Sequence, residues 1–388
     1  GSFNFQGGIF WQEIEQEFDA DQYAVNIGLL GPDPITGNGY DYNKHHFLDT
    51  DVFSAFAAFY WDINEKTELT FGARYTDEEK EGKIEIDYVH LFLQGTFGAP
   101  PLIDGLKFED DNLSPEVAIN YYLTEDISVF AAYKEGFKSG GVDNSALPSA
   151  SLNPPDGDFS FLVYESEESD GFEVGMKANL MNGGMRLNAT IFSYEYTDLQ
   201  VQLFNSTAIQ FSTFNASALE TEGFEFDLLW QTDIDGLTIR SAWAWTDTVY
   251  SDDFFNATGE NLKGEDGAGS ADVTGFIGFT FDRALNDNWR YSLSADARFT
   301  DDYAWTATIN PFIQDSFWIY DAALSFYTAD EKHQVNIIAR NLGDEYYIIG
   351  GGAIPGRAPI DNTGANTLDQ AATVPLGRTV SLQYKFRL

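Results

Sequence analysis

From Thr379 to Leu388 the chain alternates without a break. Val380, Leu382, Tyr384, Phe386 and Leu388 fall on one face, and Thr379, Ser381, Gln383, Lys385 and Arg387 on the other. A period of two residues is that of a strand with one apolar and one polar face. Such a strand either buries its apolar face against a second sheet or turns it to lipid and keeps its polar face in a wet lumen. The same rhythm recurs along the whole chain. In one strand Leu69, Phe71, Ala73 and Tyr75 oppose Thr70, Gly72, Arg74 and Thr76; in another Tyr291, Leu293, Ala295, Ala297 and Phe299 oppose Ser292, Ser294, Asp296 and Arg298.

The alternation predicts about fourteen strands, near 3–16, 47–62, 66–80, 109–123, 126–138, 165–180, 184–204, 209–230, 237–250, 270–284, 289–300, 315–328, 332–345 and 374–388. The connections decide between the two readings of the apolar face. Short ones at 62–65, 124–125, 181–183, 231–236, 285–288 and 329–331 hold Asp, Asn or Gly, the residues of tight hairpins. Long ones at 17–46, 81–108, 139–164, 251–269, 301–314 and 346–373 alternate with them. The one exception is 205–208, brief where a long connection is due. Long loops on one end and tight turns on the other are the mark of an antiparallel up-and-down transmembrane barrel. Both chain ends are then expected on the short-turn, periplasmic side. Aromatics beside the short turns (Trp61, Tyr121 with Tyr122, Trp230, Trp289, Phe326 with Tyr327) read as a girdle at the headgroup boundary.

Composition narrows the functions open to such a chain. Its 388 residues carry 62 acids against 21 bases, a net charge of −41, which argues against nucleic-acid binding. There is no cysteine, so neither disulfides nor thiolate metal sites are available. Aromatics make up 16% of the residues. No stretch approaches the roughly 18 apolar residues of a membrane helix. A barrel shows lipid only alternate residues, which suits a chain both aromatic and polar.

Six stretches carry a family resemblance. Leu113-Ser114-Pro115-Glu116-Val117-Ala118 leads into a strand, and the next strand ends in Tyr133-Lys134-Glu135-Gly136-Phe137-Lys138-Ser139-Gly140-Gly141. Glu165-Ser166-Glu167 and Gly171-Phe172-Glu173-Val174-Gly175-Met176-Lys177 follow. Then come Gly223-Phe224-Glu225-Phe226, Ala339-Arg340-Asn341-Leu342-Gly343-Asp344-Glu345-Tyr346-Tyr347 and Pro375-Leu376-Gly377-Arg378-Thr379-Val380. Their order and spacing resemble the C-terminal part of the barrel of TonB-dependent receptors. That resemblance implies a roughly 22-stranded barrel filled by an N-terminal plug. It also implies an outer-membrane location in a Gram-negative bacterium, and a ligand bound from outside. Energy comes from TonB, which pulls on a box ahead of the plug. Residues 1–388 then represent the C-terminal barrel, with the plug, the TonB box and about eight strands missing from the chain. One departure is the final residue, Leu388, where the outer-membrane insertion signal more often ends in an aromatic; Phe386 carries the aromatic two places early.

Candidate binding residues lie in the lumen and the outer loops. Arg74, Arg186, Arg298 and Arg340 point inward by parity. They either line a path for an anionic ligand or pair with lumen acids such as Asp296 or hold a plug, and the second reading carries more weight. Tyr303 and Trp305 either stack on a ligand or belong to an outer girdle. The pairs Asp252-Asp253, Glu265-Asp266 and Asp301-Asp302 fit no calcium-loop spacing and read as solvated acidic loops; the total charge also suits a high-salt habitat or divalent bridging to lipopolysaccharide. His45 and His46 fall in the long connection 17–46 and could touch a metal, but adjacent side chains of an extended chain point opposite ways and no third ligand is spaced near them, so no metal is expected there. Asn341 to Asp344 and Gly136 to Gly141 read as structural. No enzyme constellation and no cofactor site is found.

The expectation is an outer-membrane TonB-dependent transporter for a scarce ligand such as a ferric siderophore, with carbohydrate or a cofactor as other cargoes. Its partners are the TonB complex, acting through the missing N-terminal region, outer-membrane lipids and lipopolysaccharide, and a small-molecule ligand. The alternatives are a plugless fourteen-stranded diffusion channel, closed by pairing the strand at Phe3 with that at Leu388, and a soluble β-rich lectin-like protein.

Overall fold

The structure, a computed structural model, describes residues 2–22, 32–39, 41–94, 102–143, 158–205, 210–256, 259–305, 307, 313–353 and 370–387. Fourteen strands form one antiparallel sheet in strict chain order. They are β1 (Phe3–Gln22), β2 (Tyr42–Asn64), β3 (Thr67–Glu85), β4 (Leu102–Tyr122), β5 (Ile127–Lys138), β6 (Glu167–Leu180) and β7 (Met185–Thr197). The second half comprises β8 (Leu219–Gln231), β9 (Leu237–Tyr250), β10 (Val273–Ala284), β11 (Trp289–Thr300), β12 (Phe317–Thr328), β13 (His333–Arg340) and β14 (Thr379–Phe386). Three single turns of 3-10 helix, at 91–93, 160–162 and 181–183, are the other helical elements among the described residues.

Register turns the sequence alternation into a surface. One row across ten strands reads Phe3, Trp61, Leu69, Ile119, Ala131, Val174, Ile191, Phe224, Trp245 and Val273, every member apolar. A neighbouring row on the other face reads Gln6, Ala58, Gly72, Glu116, Lys134, Gly171, Tyr194, Thr221 and Thr248. The first face suits lipid and the second a wet lumen. On β2 the apolar face runs from Ile63 to Phe53, about 33 Å along the strand. A tilt of about 40° reduces that to the ~25 Å height of a lipid-facing band. Beyond it the outward positions turn acidic, beginning with Asp51 and Asp49, opposite Glu79 and Glu81 of β3.

The four N-terminal strands are longer than the alternation indicates. β1 continues to Gln22, β2 begins at Tyr42, β3 reaches Glu85 and β4 begins at Leu102. These arms stand in water above the lipid band, so their outward positions are charged and lose the apolar signal. A core inside them holds the ladder instead. Ile84, Ile86, Val89, Ile103 and Leu106 are buried together with Val142 and Leu162 of the β5–β6 connection.

The short connection near 205–208 is not an exception. β7 ends at Thr197 and β8 begins at Leu219. Between them Gln200–Asn205 pairs with Gln210–Asn215 as a separate hairpin outside the main sheet. A long outer loop therefore stands where the alternation of connections requires one. The thirteenth strand stops at Arg340 rather than 345, and the last starts at Thr379 rather than 374. Asn341 (φ 50) and Asp344 (φ 56) turn the chain out of the sheet between them. Asn341 exchanges hydrogen bonds with Glu345 through both side-chain atoms (2.8 Å each), and Asp344 accepts the Arg378 N–H at 2.7 Å. The Asn-Leu-Gly-Asp motif thus clasps the two ends of a long loop, the structural role expected of it. In the girdle, Phe326 faces outward but Tyr327 shares the lumen face with Arg290, its register partner.

β1 pairs only with β2 and β14 only with β13, so the sheet is open among the described residues. The ring that a fourteen-stranded channel needs is not formed among the described residues. β14 is exposed at every position, and on β1 the side chains of Phe5 and Ile9 are 76% and 80% exposed.

Replacing Ala73, mid-band on the apolar face, by Arg is expected to cost about 2–4 kcal/mol of stability in lipid vesicles. Gly72→Arg falls on the wet face, where a new Cβ meets only ordinary contacts at 3.8–3.9 Å, and is expected to cost under about 1 kcal/mol. Equal losses at the two positions would mean the faces are wrongly assigned.

Candidate functional site

The inner wall is built from charged side chains that alternate with lipid-facing ones and satisfy each other across strands. Arg74 is exposed but tied to the wall. It donates to Ser54 Oγ at 2.9 Å and Thr76 Oγ1 at 3.3 Å and stacks over the Phe10 ring. Arg298 hydrogen-bonds Asp321 and lies 3.7 Å from Asp296. Those two carboxylates are direct register partners, so Arg298 offsets a like-charge pair. Arg340 lies close by on β13, where the Asn341 N–H donates to Asp321 at 2.7 Å; among the described residues it makes no ion pair. The structure therefore groups Arg298 with Arg340 and leaves Arg74 on the far side of the sheet.

Sequence reading missed a second inner cluster. Glu173 accepts from the Tyr194 hydroxyl at 2.6 Å and Lys134 Nζ at 3.1 Å. The preceding Gly-Phe explains the geometry. A Cβ on Gly171 would sit 2.3 Å from the Tyr194 ring, and one on Gly223 would sit 2.8 Å from the Phe192 ring. Glycine lets each ring lie flat on the wall, with the carboxylate two places on facing the same lumen. Glu225 and Asp227 border a dent of about 340 Å³ floored by Ala242, Ala244 and Thr274. The repeated Gly-Phe-Glu triplet is the signal that could have pointed here.

Above the wall the outer loops are folded rather than loose. A second core contains Ala216, Tyr250, Phe254 and Leu262, with Val201 and Phe214 of the 200–215 hairpin against it. Gln200 donates to the carbonyls of Ser139 and Glu165 (3.0 Å each), and Asn215 to those of Glu165 (2.9 Å) and Asp198 (2.8 Å). Two outer loops are thereby latched together.

Tyr303 and Trp305 stand on this outer surface with ring centroids 5.4 Å apart. Tyr303 borders a cavity of about 120 Å³ that also meets Glu265, Asp266, Asp272, Asp301 and Asp302. The acidic pairs at 265–266 and 301–302, separate in sequence, thus share one cavity; Asp252 instead meets Lys263 at 3.3 Å. Burial first, and then the charges of Asp266, Asp247, Asp301 and Asp302, hold the Asp272 carboxyl above its ordinary pKa. The outward aromatic belt below is made by other residues. Phe224 and Trp243 each stack on Trp245 (5.8 and 6.2 Å), and Phe299 meets Trp318 at 4.9 Å. His45 faces outward to Asp19 and Asp87, whereas His46 faces inward.

The family model for the TonB-dependent receptor-like β-barrel matches residues 1–342. The chain belongs to that family. Among curated relatives, a pesticin receptor from Yersinia pestis is 22% identical over 307 residues, 78% of this chain and 40% of that protein. The ferric yersiniabactin uptake receptor of Yersinia pestis aligns in structure over 100% of this chain and 51% of its own, with TM-score 0.74 and 14% identity. The ferric-catecholate import receptor of E. coli K12 aligns over 98% and 51%, with TM-score 0.67 and 15% identity. The siderophore receptor of Acinetobacter baumannii aligns over 100% and 53%, with TM-score 0.68 and 16% identity. This receptor-family chain spans about half the length of those structures.

Because the folded loop holds the Asp272 proton more tightly than an unfolded one, this residue's contribution to stability falls as pH rises through the carboxylate range. Asp272→Asn is expected to raise the melting temperature at pH 7.5, with the gain shrinking toward pH 4. A gain that does not change with pH would show that the carboxylates around the cavity do not repel Asp272.

Proposed function

We propose that this chain is the C-terminal wall of an outer-membrane transporter that takes up a scarce chelate, with ferric siderophores the favoured cargo. The observation that carries the reading is the outer end of the barrel. There two buried cores and side-chain latches between loops hold a shaped surface around Tyr303, Trp305 and a small polar cavity. A preorganised surface limits the ordering cost of binding. Receptors whose names refer to siderophores share the fold, which supports that cargo class.

Tyr303 and Trp305 offer flat rings to an aryl or chelate ligand. Arg298 and Arg340 lie on the inner wall of the neighbouring strands, where an anionic group would pass; Arg74 lines the opposite wall. The open edges at β1 and β14 are completed by further strands, and the polar inner face by a plug, both in a region outside residues 1–388. TonB acts through that region. The short-turn end, where Phe3 and Phe386 both sit, faces the periplasm, and the acidic outer arms meet lipopolysaccharide through divalent cations. The wall binds and guides its cargo and makes or breaks no covalent bond.

In the full-length receptor, tryptophan fluorescence titration with a panel of ferric siderophores is expected to find a ligand that Tyr303→Ala or Trp305→Ala binds about tenfold more weakly, or ~1.4 kcal/mol. Uptake by cells is expected to require TonB while surface binding does not. Binding of none of the panel, with flux that continues without TonB, would sink the proposal in favour of passive diffusion.

A further inference from the structure

His46 is 1% exposed, and neither ring nitrogen has a hydrogen-bond partner among the described residues. It lies on the inner face of β2, seven residues beyond Phe53, where the apolar band ends, and so stands above the membrane. Its register partners, Phe18 of β1 and Ile84 of β3, bring no charge. Among the described residues the charged groups facing it are Lys44 on its own strand and Asp143 from the β5–β6 connection, both buried. Asp143 Oδ2 in turn accepts the Thr213 N–H at 2.8 Å, tying in the 200–215 hairpin. Phe214, the next residue, packs on the core that contains Leu262, and Leu262 lines the acidic cavity beside Tyr303. Ile84, the register partner of His46, packs in one core with Val142, the neighbour of Asp143, so a path of packed residues joins His46 to the outer-loop cap and the candidate binding surface.

We propose that His46 is an acid-operated latch: the cap closes over the neutral imidazole and opens when the ring takes up a proton. An imidazolium needs partners or water for both N–H groups, and the closed cap supplies neither. Burial first, then the Lys44 charge, lowers the pKa of the ring from its ordinary 6.5, against the opposing pull of Asp143. A depressed histidine stabilises the closed form above its ordinary pKa, and that stability is lost as pH falls below about 6.5. Lys44, lowered to about 8, is mostly protonated at pH 7.5 and completes its protonation above about 6.5, so it adds no slope in the range below 6.5 where the latch opens. His45 on the opposite face has the reverse sign, because its bond to Asp19 raises its pKa and acid strengthens that contact. The latch does not depend on the nature of the cargo.

Hydrogen exchange of the full-length receptor in detergent micelles tests this, comparing pH 7.5 with 5.5 after correction for intrinsic rates. In the wild type, exchange at Gly141–Asp143 and Gln210–Asn215 is expected to rise at least tenfold in acid while β9 and β11 stay protected. His46→Gln and His46→Leu are expected to keep the cap equally protected at both pH values. An unchanged wild-type cap overturns the proposal, as does an acid response that persists in either capped variant. If neither variant closes its cap at pH 7.5, the wild type decides: an opening midpoint below 6.5 supports the latch, and a midpoint at or above it overturns it.

Discussion

The constraint on which everything else rests is that hydrocarbon offers no hydrogen-bond partner to a peptide group. Each N–H and C=O within the lipid band must be met by the neighbouring strand, and an unbroken antiparallel ladder does this from β1 to β14. Once the ladder is fixed, the register is fixed. A slip of one residue would put Arg74 in lipid and Tyr75 in the lumen, so the alternation of side chains holds the pairing as firmly as the backbone bonds do. The two outer strands of the sheet, left with one neighbour each, are the places where this rule is unmet within the described residues.

Above the band the governing physics changes. Water is available again, and the arms of β1 to β4 no longer need lipid-compatible faces, so their outward positions become acidic. What keeps them paired is burial on the inside: Ile84, Ile103 and Leu106 under one pair of loops, and Phe254 and Leu262 under another. Charge is sorted in the same way. Many of the bases lie on the inner wall, where Lys134 meets Glu173 and Arg298 meets Asp321. The large acidic excess is carried mostly by the arms and outer loops. Outer loops and barrel wall are thus stabilised by different means, so conditions that loosen the one can leave the other unchanged.

Much of this is legible in the sequence. Face parity at Leu69 to Thr76 and at Tyr291 to Phe299 needs only period two, and the short turns announce themselves by Asp, Asn and Gly. The order of motifs from Leu113 to Val380 pointed to the family that the comparison with known proteins supports. The sequence misplaced the ends of the arms because their charged outward residues carry no apolar signal. It passed over the 200–215 hairpin because that segment alternates too, and local period cannot tell a strand of the main sheet from one that leaves it. Tyr327 was assigned to the girdle for its residue type, whereas its register partner Arg290 draws it inward. Of the candidate site residues, parity placed Arg74, Arg298 and Arg340 on the lumen face. It could not show that Arg74 lies over the Phe10 ring while Arg298 meets two opposed carboxylates.

The sequence by itself determined the class of fold, the two faces of each strand and the segregation of long and short connections. All of these follow from local periodicity and turn chemistry, which need no knowledge of distant residues. Only the tertiary structure decided that Asp266 and Asp301 share a cavity, that Thr213 reaches Asp143, and that His46 is sealed from water. Those contacts join residues far apart along the chain, and they exist because register and loop packing set strand ends and outer loops side by side.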